Sequence, residues 1–401
     1  MNVRDLYASI KGVQHLLETE RDTQSYLSEP LRRRLWLWRR GFLTRSGVLY
    51  GLEESNYREY VTDSQRFVRT KRINGPWSIA LSNKLAFHWL LHPFDDHRMS
   101  VYGMLHNGSF HAIDSLRPPR AIGDGGTSRS RSRSKPSVTS AIGPSGTRSV
   151  EMGRSGPSHN PDETDRNGPD WVVDRLEDER RLVLKWVQGG GGNNVLLCSR
   201  VDGGYRVNGD RLSEPAFRSR LADLEDYLVC EFVEQGWFPS ELYPETPNTI
   251  RIVTMYDDAA GEPFVGAAIQ RMGTTDSEPM DNFSQGGLTA EIEVETGELG
   301  PGAQLPYDGD LEWYATHPDT GTRIEGAQIP GWSRIRDRIL EFAETYSYIP
   351  YIGWDVVVTG EDGEFTVLEG NSYPGLKSIQ VHGPLLTDDR VRRFYERHGV
   401  C

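Results

Sequence analysis

The sequence has few cysteines and no long apolar run. Its three cysteines, Cys198, Cys230 and Cys401, are scattered and follow neither a disulfide spacing nor a metal-ligand spacing, which indicates a reducing compartment. No stretch approaches the length of a transmembrane helix, and the first residues, Met1–Asp5, lack the apolar core of a signal peptide. We therefore expect a cytoplasmic protein without a transmembrane segment.

Lysine is also scarce, and acidic residues outnumber basic ones. The formal net charge is −13 at pH 7, which argues against nucleic acid as a partner. The chain of 401 residues is long enough for two or three lobes with a core, and its oligomeric state is left open. Arginine is abundant, but there are only six lysines, at positions 11, 71, 84, 135, 185 and 377. A lysine inside an apolar strand therefore indicates a specific role for its side chain and not an ordinary solvated surface position.

One tract is nearly free of large apolar side chains. It begins with the Arg-Ser repeats at 127–136 and lasts to about Pro169, rich in Ser, Gly, Arg and Pro. Such a segment cannot offset its ordering entropy by burial, so the composition predicts a disordered insertion. We expect a tolerated loop insertion, with binding of RNA, acidic partners or the acidic body of the protein as alternatives.

A hairpin near the end of the chain carries three oxygen-bearing side chains. Two β-branched runs, at 353–358 and 365–371, predict strands joined by a tight turn. Glu369 and Asn371 project from the same face, and antiparallel pairing can bring Asp355 beside them. Two carboxylates and one amide oxygen suit Mg²⁺ that carries nucleotide phosphates. A hairpin with polar residues on its solvated face remains the alternative for this segment alone.

A lysine followed by glycines points to the same chemistry. Lys185 lies within the strand-like run 181–187, and four consecutive glycines follow it closely. Their N–H groups can form an anion-binding concavity, and Lys185 supplies a compact positive charge for phosphate. No Gly-Lys-Ser/Thr follows, so this is not a Walker A loop. The alternative is a flexible loop beside a lysine on an edge strand.

Seven motifs in a fixed order resemble the ATP-grasp superfamily. They are the strand lysine, the Gly-rich loop, Glu-Phe-Val-Glu (231–234), Asn-Thr-Ile-Arg (248–251), Asp-Asn-Phe-x-x-Gly-Gly (281–287), Gly-Trp-Asp (353–355) and Leu-Glu-Gly-Asn-x-x-Pro-Gly (368–375). Within the superfamily, the chain most resembles the sugar-transfer-associated proteins related to α-L-glutamate ligases, from about Asn83 to His398. The resemblance implies an α+β ATP-grasp fold whose two lobes sandwich ATP, with Mg²⁺, or alternatively Mn²⁺, as the metal.

The resemblance also assigns nucleotide contacts. Lys185 would contact the α- and β-phosphates, and Lys84 would be a second nucleotide-binding lysine, with an ordinary helix-start lysine as the alternative. The backbone of Glu231 and Val233 would pair with adenine, and either Glu231 or Glu234 would reach the ribose. A flexible lid over the triphosphate would consist of Gly189, Gly190, Gly191, Gly192 and Asn193.

Further residues are assigned to the reacting groups. Asp355, Glu369 and Asn371 would bind the metal, while Arg251 and Arg271 would hold the γ-phosphate and an acyl-phosphate oxygen. As an alternative, arginines on adjacent strands often pair with surface carboxylates. Contacts to the substrate are expected from Asn248, Asn282, Gly286 and Gly287.

Composition shifts divide the chain into four parts. We expect an N-terminal helical segment (1–75), a first ATP-grasp lobe (76–118 and 170–235), the disordered insertion (119–169) and a second lobe with the metal site (236–401). The last helix is predicted to begin with Thr387 as its N-cap and to end near Gly399.

The expected activity is ATP-dependent ligation of a small-molecule carboxylate to an amine through an acyl-phosphate, acting on an amino acid or a glycan-related substrate. One alternative is a phosphotransferase that modifies a sugar hydroxyl on the same scaffold. The other is a non-catalytic nucleotide-binding protein that uses the Arg-Ser tract to contact partners.

Overall fold

A computed structural model describes residues 14, 16–21, 29–113, 166–188, 194–305 and 311–401. The glycine run with Asn193 and most of the insertion lie outside the described residues, so the predictions made for them stay predictions. The described residues form two antiparallel sheets flanked by helices. None of the described helices combines the length and the apolar character needed to cross a membrane.

The first sheet has eight strands in the order β3-β2-β1-β8-β4-β5-β6-β7. Helices α5 (Gly168–Glu179) and α6 (Glu214–Ala222) place apolar side chains such as Trp171 and Phe217 in one core with Leu184 of β4. The strands are β1 (Val101–His106), β2 (Ser109–Ala112), β3 (Arg166–Asn167), β4 (Arg181–Trp186), β5 (Val195–Val201), β6 (Gly204–Val207), β7 (Asp210–Leu212) and β8 (Tyr227–Glu231).

The second sheet has seven strands in the order β13-β12-β11-β10-β9-β14-β15. Helix α8 (Trp332–Thr345) packs Ile335, Ile339 and Phe342 into the same core as Trp354 of β14. Every residue of β14 is buried, which fits a strand paired on both sides. The strands are β9 (Ile250–Asp257), β10 (Glu262–Met272), β11 (Leu288–Ile292), β12 (Leu299–Gln304), β13 (Glu312–Tyr314), β14 (Tyr351–Val358) and β15 (Phe365–Asn371).

The segment that precedes β1 packs on the second sheet, which corrects the lobe boundary expected at residue 76. Helices α3 (Ser78–Ser82) and α4 (Lys84–Leu90) place Leu81 and Phe87 in the core of the second sheet. A side chain at Gly370 of β15 would collide with Phe87, so the glycine permits this close approach. The first sheet therefore begins at β1, and helix α4 connects the two lobes.

The N-terminal helical segment also packs on the second lobe. Its described helices are α1 (Leu31–Arg39) and α2 (Thr44–Leu49), followed by short helical turns. The buried Asn74 amide bonds both backbone groups of Tyr351: its Nδ2 donates to the carbonyl oxygen at 2.6 Å and its Oδ1 accepts from the N–H at 3.1 Å. The N-terminal segment is therefore built into the second lobe.

Helix α7 (Trp237–Leu242) precedes β9, and two short helices, α9 (Lys377–Gln380) and α10 (Asp389–Arg397), follow β15. The prediction that Thr387 caps the last helix is wrong. Asp388 is the N-cap, and its carboxylate accepts from the N–H groups of Arg390 and Val391 at 2.7 and 2.9 Å. The Thr387 hydroxyl instead donates to the carbonyl oxygen of Pro384 at 2.7 Å.

Candidate functional site between the two sheets

The hairpin of β14 and β15 brings the three predicted metal ligands together. Asp355 and Glu369 are direct partners in the antiparallel register, with a bulge after Asp355. Asn371 Nδ2 lies 3.4 Å from Asp355 Oδ2 and 3.4 Å from Glu369 Oε1. Asp355 is buried, whereas Glu369 and Asn371 are partly exposed and can be reached by a ligand.

Two arginines from neighbouring strands bind Asp355. Arg251 of β9 lies opposite Asp355 in the register and grips the carboxylate with Nε and with Nη2, the latter at 2.7 Å from Oδ2. Arg271 of β10 places Nη2 at 3.1 Å from the same oxygen. Burial alone would raise the pKa of Asp355, but the charges of Arg251 and Arg271 outweigh it and hold the pKa well below its usual range. Asp355 is therefore a permanent carboxylate.

This donor set fits a hard divalent cation. Asp355 and Glu369 supply anionic oxygens, and a half-turn of the Asn371 amide would present its oxygen instead of Nδ2. The arginines were expected to hold phosphate oxygens. In the structure they pair first with Asp355, so a metal ion at Asp355 would share that carboxylate with them.

Two lysines face the hairpin from the other side of a cavity. Lys84, the first residue of α4, places Nζ at 3.6 Å from Glu369 Oε2. Lys185 of β4 is buried, and its Nζ contacts Met99 Sδ at 3.5 Å. Burial lowers the pKa of Lys185, which means that its charged form would gain from a nearby anion.

The cavity itself lies between the two sheets. The cavity volume is about 20 Å³, and Lys84 and Lys185 both line it. Its remaining walls come from both lobes. Met99, Val101, Leu228 and Cys230 belong to the first lobe, and Val367 and Leu368 to the second, while Phe87, His88, Leu91 and Arg98 belong to α4 and the turn after it. Of the hairpin, Val367 and Leu368 line this cavity. Asp355, Glu369 and Asn371 are not among its lining residues, and Lys84 connects the cavity to them through its contact with Glu369.

The ends of the glycine run are placed beside this cleft. The backbone N–H of Trp186 donates to the carbonyl oxygen of Asn194 at 3.2 Å, and Lys185 pairs with Val195 in the register of β4 and β5. The described residues on either side of the run therefore lie beside Lys185, while Gly189 to Asn193 lie outside the described residues.

Part of the segment predicted to bind adenine is already bonded to other groups of the protein. The N–H of Glu231 donates to the carbonyl oxygen of Ser100 at 3.1 Å, and its carboxylate accepts from the N–H of Ser100 at 2.7 Å. The Glu234 carboxylate pairs with Arg181. Val233 is partly buried beside the apolar residues of the cleft wall. In this structure Glu231 ties β8 to the start of β1, a contact that the sequence did not suggest.

The four predicted substrate residues differ in their surroundings. Asn248 is buried, and its amide donates to the Pro239 carbonyl at 2.7 Å while accepting from the Gly273 N–H at 2.9 Å. The Asn248 side chain therefore stabilises these turns, and we do not propose it as a substrate-binding residue. Asn282 accepts from the Ser284 N–H at 3.0 Å, and the loop continues through Gly286, whose φ of +100° favours glycine, to Gly287.

Sequence reasoning missed a polar pair in the cavity wall. The His88 ring nitrogen Nε2 lies 3.0 Å from Arg98 Nη1, and burial together with the charge of Arg98 lowers the pKa of His88 to about 4. His88 is therefore neutral and accepts from Arg98. The uneven spacing of the neighbouring histidines gave no metal pattern, and the pair is visible only once α4 and the turn after it are folded.

Two sheets that enclose a cleft with lysines on one side and carboxylates on the other define an ATP-grasp protein. Residues 158–392 match the family described as sugar-transfer associated ATP-grasp. This match covers more than half of the chain, and the chain belongs to that family. The predicted superfamily and α+β fold are confirmed.

Solved structures with a similar fold are distant in sequence. The RiPP-associated ATP-grasp ligase of Chryseobacterium gregarium, solved with ADP and a leader and core peptide, is 13% identical over 57% of this chain and 52% of that chain, with a TM-score of 0.29. The D-alanine–D-alanine ligase of Coxiella burnetii is 13% identical over 90% and 67%, with a TM-score of 0.32. The chain spans about half the length of the first of these. No curated protein sequence matches the chain.

Proposed function

We propose that the protein is an ATP- and Mg²⁺-dependent ligase that joins a carboxylate to an amine. One observation carries the proposal: Lys84 and Lys185 line the cleft opposite a hairpin that presents Asp355, Glu369 and Asn371. Cations and hard oxygen donors that face each other across a cleft suit a triphosphate with its metal ion.

The lysines would hold the phosphates. Lys185 is buried, with a lowered pKa, so an anion beside it would restore the charged form at little further desolvation cost. Lys84 already lies near Glu369 and would bridge the phosphates and the metal site. The glycine run would cover the triphosphate with its N–H groups. The adenine ring would lie beside Val233 and the backbone of Glu231.

Asp355, Glu369 and Asn371 would hold Mg²⁺, and the ion would neutralise charge on the transferring phosphoryl group. Arg251 and Arg271 are fixed by Asp355, so their guanidinium groups are preorganised and lose little freedom when an oxyanion binds beside them.

The reaction needs no nucleophilic side chain. An oxygen of the substrate carboxylate would attack the γ-phosphorus, and the bond to the β-phosphate oxygen would break to release ADP. The amine would then attack the acyl carbon, lose a proton, and expel inorganic phosphate as the amide forms. The chain contributes positioning and electrostatic stabilisation. Asn282, Gly286 and Gly287 form the loop expected to border the substrate.

The test is ADP release by purified protein with MgATP in a screen of amino acids and amino sugars. Glu369→Gln should lower turnover about 10²–10³-fold, the loss typical of one electrostatic group at a reacting centre. Lys185→Met should weaken nucleotide binding. Glu361→Gln, an exposed glutamate in the turn of the same hairpin, is the matched control and should behave as the wild type.

The stoichiometry decides between a ligase and other ATP-dependent reactions. One amine consumed for each ADP released supports the proposal. Wild-type turnover in Glu369→Gln, or phosphate transferred to a hydroxyl with no amine consumed, would refute it.

A further inference from the structure

A histidine and two carboxylates of the first lobe meet outside the candidate site. His106 is the last residue of β1, and Glu225 and Asp226 immediately precede β8, which pairs with β1. His106 Nδ1 lies 2.6 Å from Glu225 Oε1 and 2.8 Å from Asp226 Oδ1. These three ligand atoms all lie within 4.8 Å of one another. We call the three residues the histidine cluster, and none of them lines the cavity between the sheets.

The His106 ring cannot satisfy both carboxylates equally. One imidazole nitrogen carries at most one proton, yet two anionic oxygens approach Nδ1. Within the part of the chain that the structure describes, no other basic side chain forms an ion pair with Glu225 or Asp226. Two carboxylates that share one proton donor repel each other. A divalent cation at the point where the three atoms converge would bind all of them and remove this repulsion.

Backbone groups already orient the two carboxylates. The second oxygen of Glu225, Oε2, accepts from the N–H of Asn107 at 2.9 Å, so Oε1 is left to face His106. The carbonyl oxygen of Asp226 accepts from the N–H of Val187 at 2.9 Å, which fixes the backbone from which its carboxylate extends. Hydrogen bonds behind the ligands orient them in the same way in known metal sites and raise the affinity for the ion.

The kinds of ligand favour Zn²⁺ over Mg²⁺. Imidazole suits Zn²⁺, whereas Mg²⁺ prefers oxygen ligands and keeps several of its waters. Zn²⁺ binds such atoms at about 2.0–2.2 Å, which places the ligands of a tetrahedral site about 3.3 Å apart, so the three side chains need to separate only slightly. None of them is buried, and an ion can reach them from solvent. His111 of β2, whose ring centroid lies 6.1 Å from that of His106, is a candidate for the fourth ligand, with water as the alternative.

We propose that His106, Glu225 and Asp226 bind Zn²⁺ at a site separate from the one proposed for Mg²⁺. The ion would join the end of β1 to the start of β8. Backbone hydrogen bonds continue from there to the cleft, because Asp226 holds Val187 and the carbonyl oxygen of Val187 accepts from the N–H of Lys84 at 2.9 Å. Zn²⁺ would therefore stabilise the first lobe where that lobe holds Lys84. The proposal does not depend on the ligase activity.

The experiment titrates ZnCl₂ into the full chain without nucleotide and follows binding by isothermal calorimetry, with MgCl₂ in a second arm. The wild type should bind one Zn²⁺ through the histidine cluster at micromolar concentration or below. His106→Gln and Asp226→Asn should weaken this binding at least about tenfold, because losing a ligand should cost no less than losing a group that supports one. Zn²⁺ should raise the Tm of the wild type but not that of the variants. MgCl₂ should not distinguish the variants from the wild type.

The matched control is His92→Gln. His92 is an exposed histidine whose Nδ1 lies 3.4 Å from a single carboxylate, that of Asp95, so its loss should leave Zn²⁺ binding unchanged. The Glu369→Gln variant should keep the Zn²⁺ of the histidine cluster, which separates this ion from any Zn²⁺ that enters the site proposed for Mg²⁺.

Circular dichroism of the metal-free variants verifies their fold, and Glu225→Gln, at an exposed residue, provides a second carboxylate variant. The proposal is overturned if the wild type binds Zn²⁺ no more tightly than His106→Gln and the folded carboxylate variants do. It is also overturned if Glu369→Gln alone abolishes Zn²⁺ binding. In either case the histidine cluster is an ion pair of a protonated histidine and not a metal site.

Discussion

The carboxylate of Asp355 takes part in two kinds of interaction. It pairs with Arg251 and Arg271, which lie on neighbouring strands, and it belongs to the donor set proposed for a metal ion. The ion pair is buried, so the arginine charges depend on Asp355 for compensation. Asp355 therefore contributes to the fold, whereas the partly exposed Glu369 is free to serve the reaction.

Asp355→Asn should destabilise the protein by about 3–5 kcal/mol, because the buried Arg251 loses its counter-charge, while the partly buried Arg271 keeps Asp281 at 3.6 Å. Urea unfolding followed by circular dichroism measures this, and Glu369→Gln should cost far less. The folded-state pKa of Asp355 is depressed, so its contribution to stability is present above its unfolded pKa, near 4, and is lost as the pH falls. The acid sensitivity below about pH 4 should therefore shrink in Asp355→Asn. Equal stability of the two variants would contradict the buried pair.

Individual residues were predictable where the chain placed them close together. Strand alternation and one hairpin were enough to join Asp355, Glu369 and Asn371. Arg251 comes from a strand 104 residues earlier, so its grip on Asp355 could not be derived from local pattern. For Asn248 the local motif suggested a contact with a ligand. In the structure its side-chain amide instead makes hydrogen bonds to the surrounding turns.

At the scale of elements, the position where a helix begins depends on which of two adjacent residues caps it. Thr387 is the predicted N-cap, although aspartate is the better capping residue and Asp388 follows directly. The structure selects Asp388 because its carboxylate reaches two free N–H groups, while the threonine hydroxyl bonds back to Pro384.

Asp388→Ala should destabilise the protein by about 1 kcal/mol through loss of the cap of α10 and of a negative charge at its N-terminus. Thr387→Ala should cost distinctly less. Thermal unfolding of the two variants at neutral pH compares them directly. A larger loss in Thr387→Ala would restore the cap that the sequence predicted.

The alternation of side chains predicted the strands well, but it did not predict to which lobe each element belongs. The helix start considered for Lys84 is the start of α4, and Phe87 of this helix packs with Trp354 on the second sheet. The amphipathic pattern of this helix shows that one of its faces is buried, but it does not show which part of the protein covers that face. Lys84 is consequently held at the junction of the lobes, where it reaches Glu369.

At the scale of the whole molecule, the second lobe depends on the N-terminal segment. Asn74 satisfies both backbone groups of Tyr351, and Gln380 does the same for Val61, donating to its carbonyl at 3.0 Å and accepting from its N–H at 2.8 Å. These four bonds join residues about three hundred positions apart, so composition could suggest a helical segment but not where it packs.

The insertion predicted at 119–169 follows β2 and contains β3 near its end. The two strands pair, with Ser109 opposite Asn167 and Phe110 opposite Arg166. The sheet therefore holds residues 109–110 and 166–167 side by side. Deleting residues 119–157 should therefore leave the fold and the binding of MgADP unchanged. Because a shorter loop loses less entropy on closure, the free energy of unfolding should rise by about 1 kcal/mol. Urea unfolding and calorimetry with MgADP measure both quantities. Weaker nucleotide binding, or a loss of stability, would show that the insertion contributes contacts to the folded protein and is more than a tolerated loop.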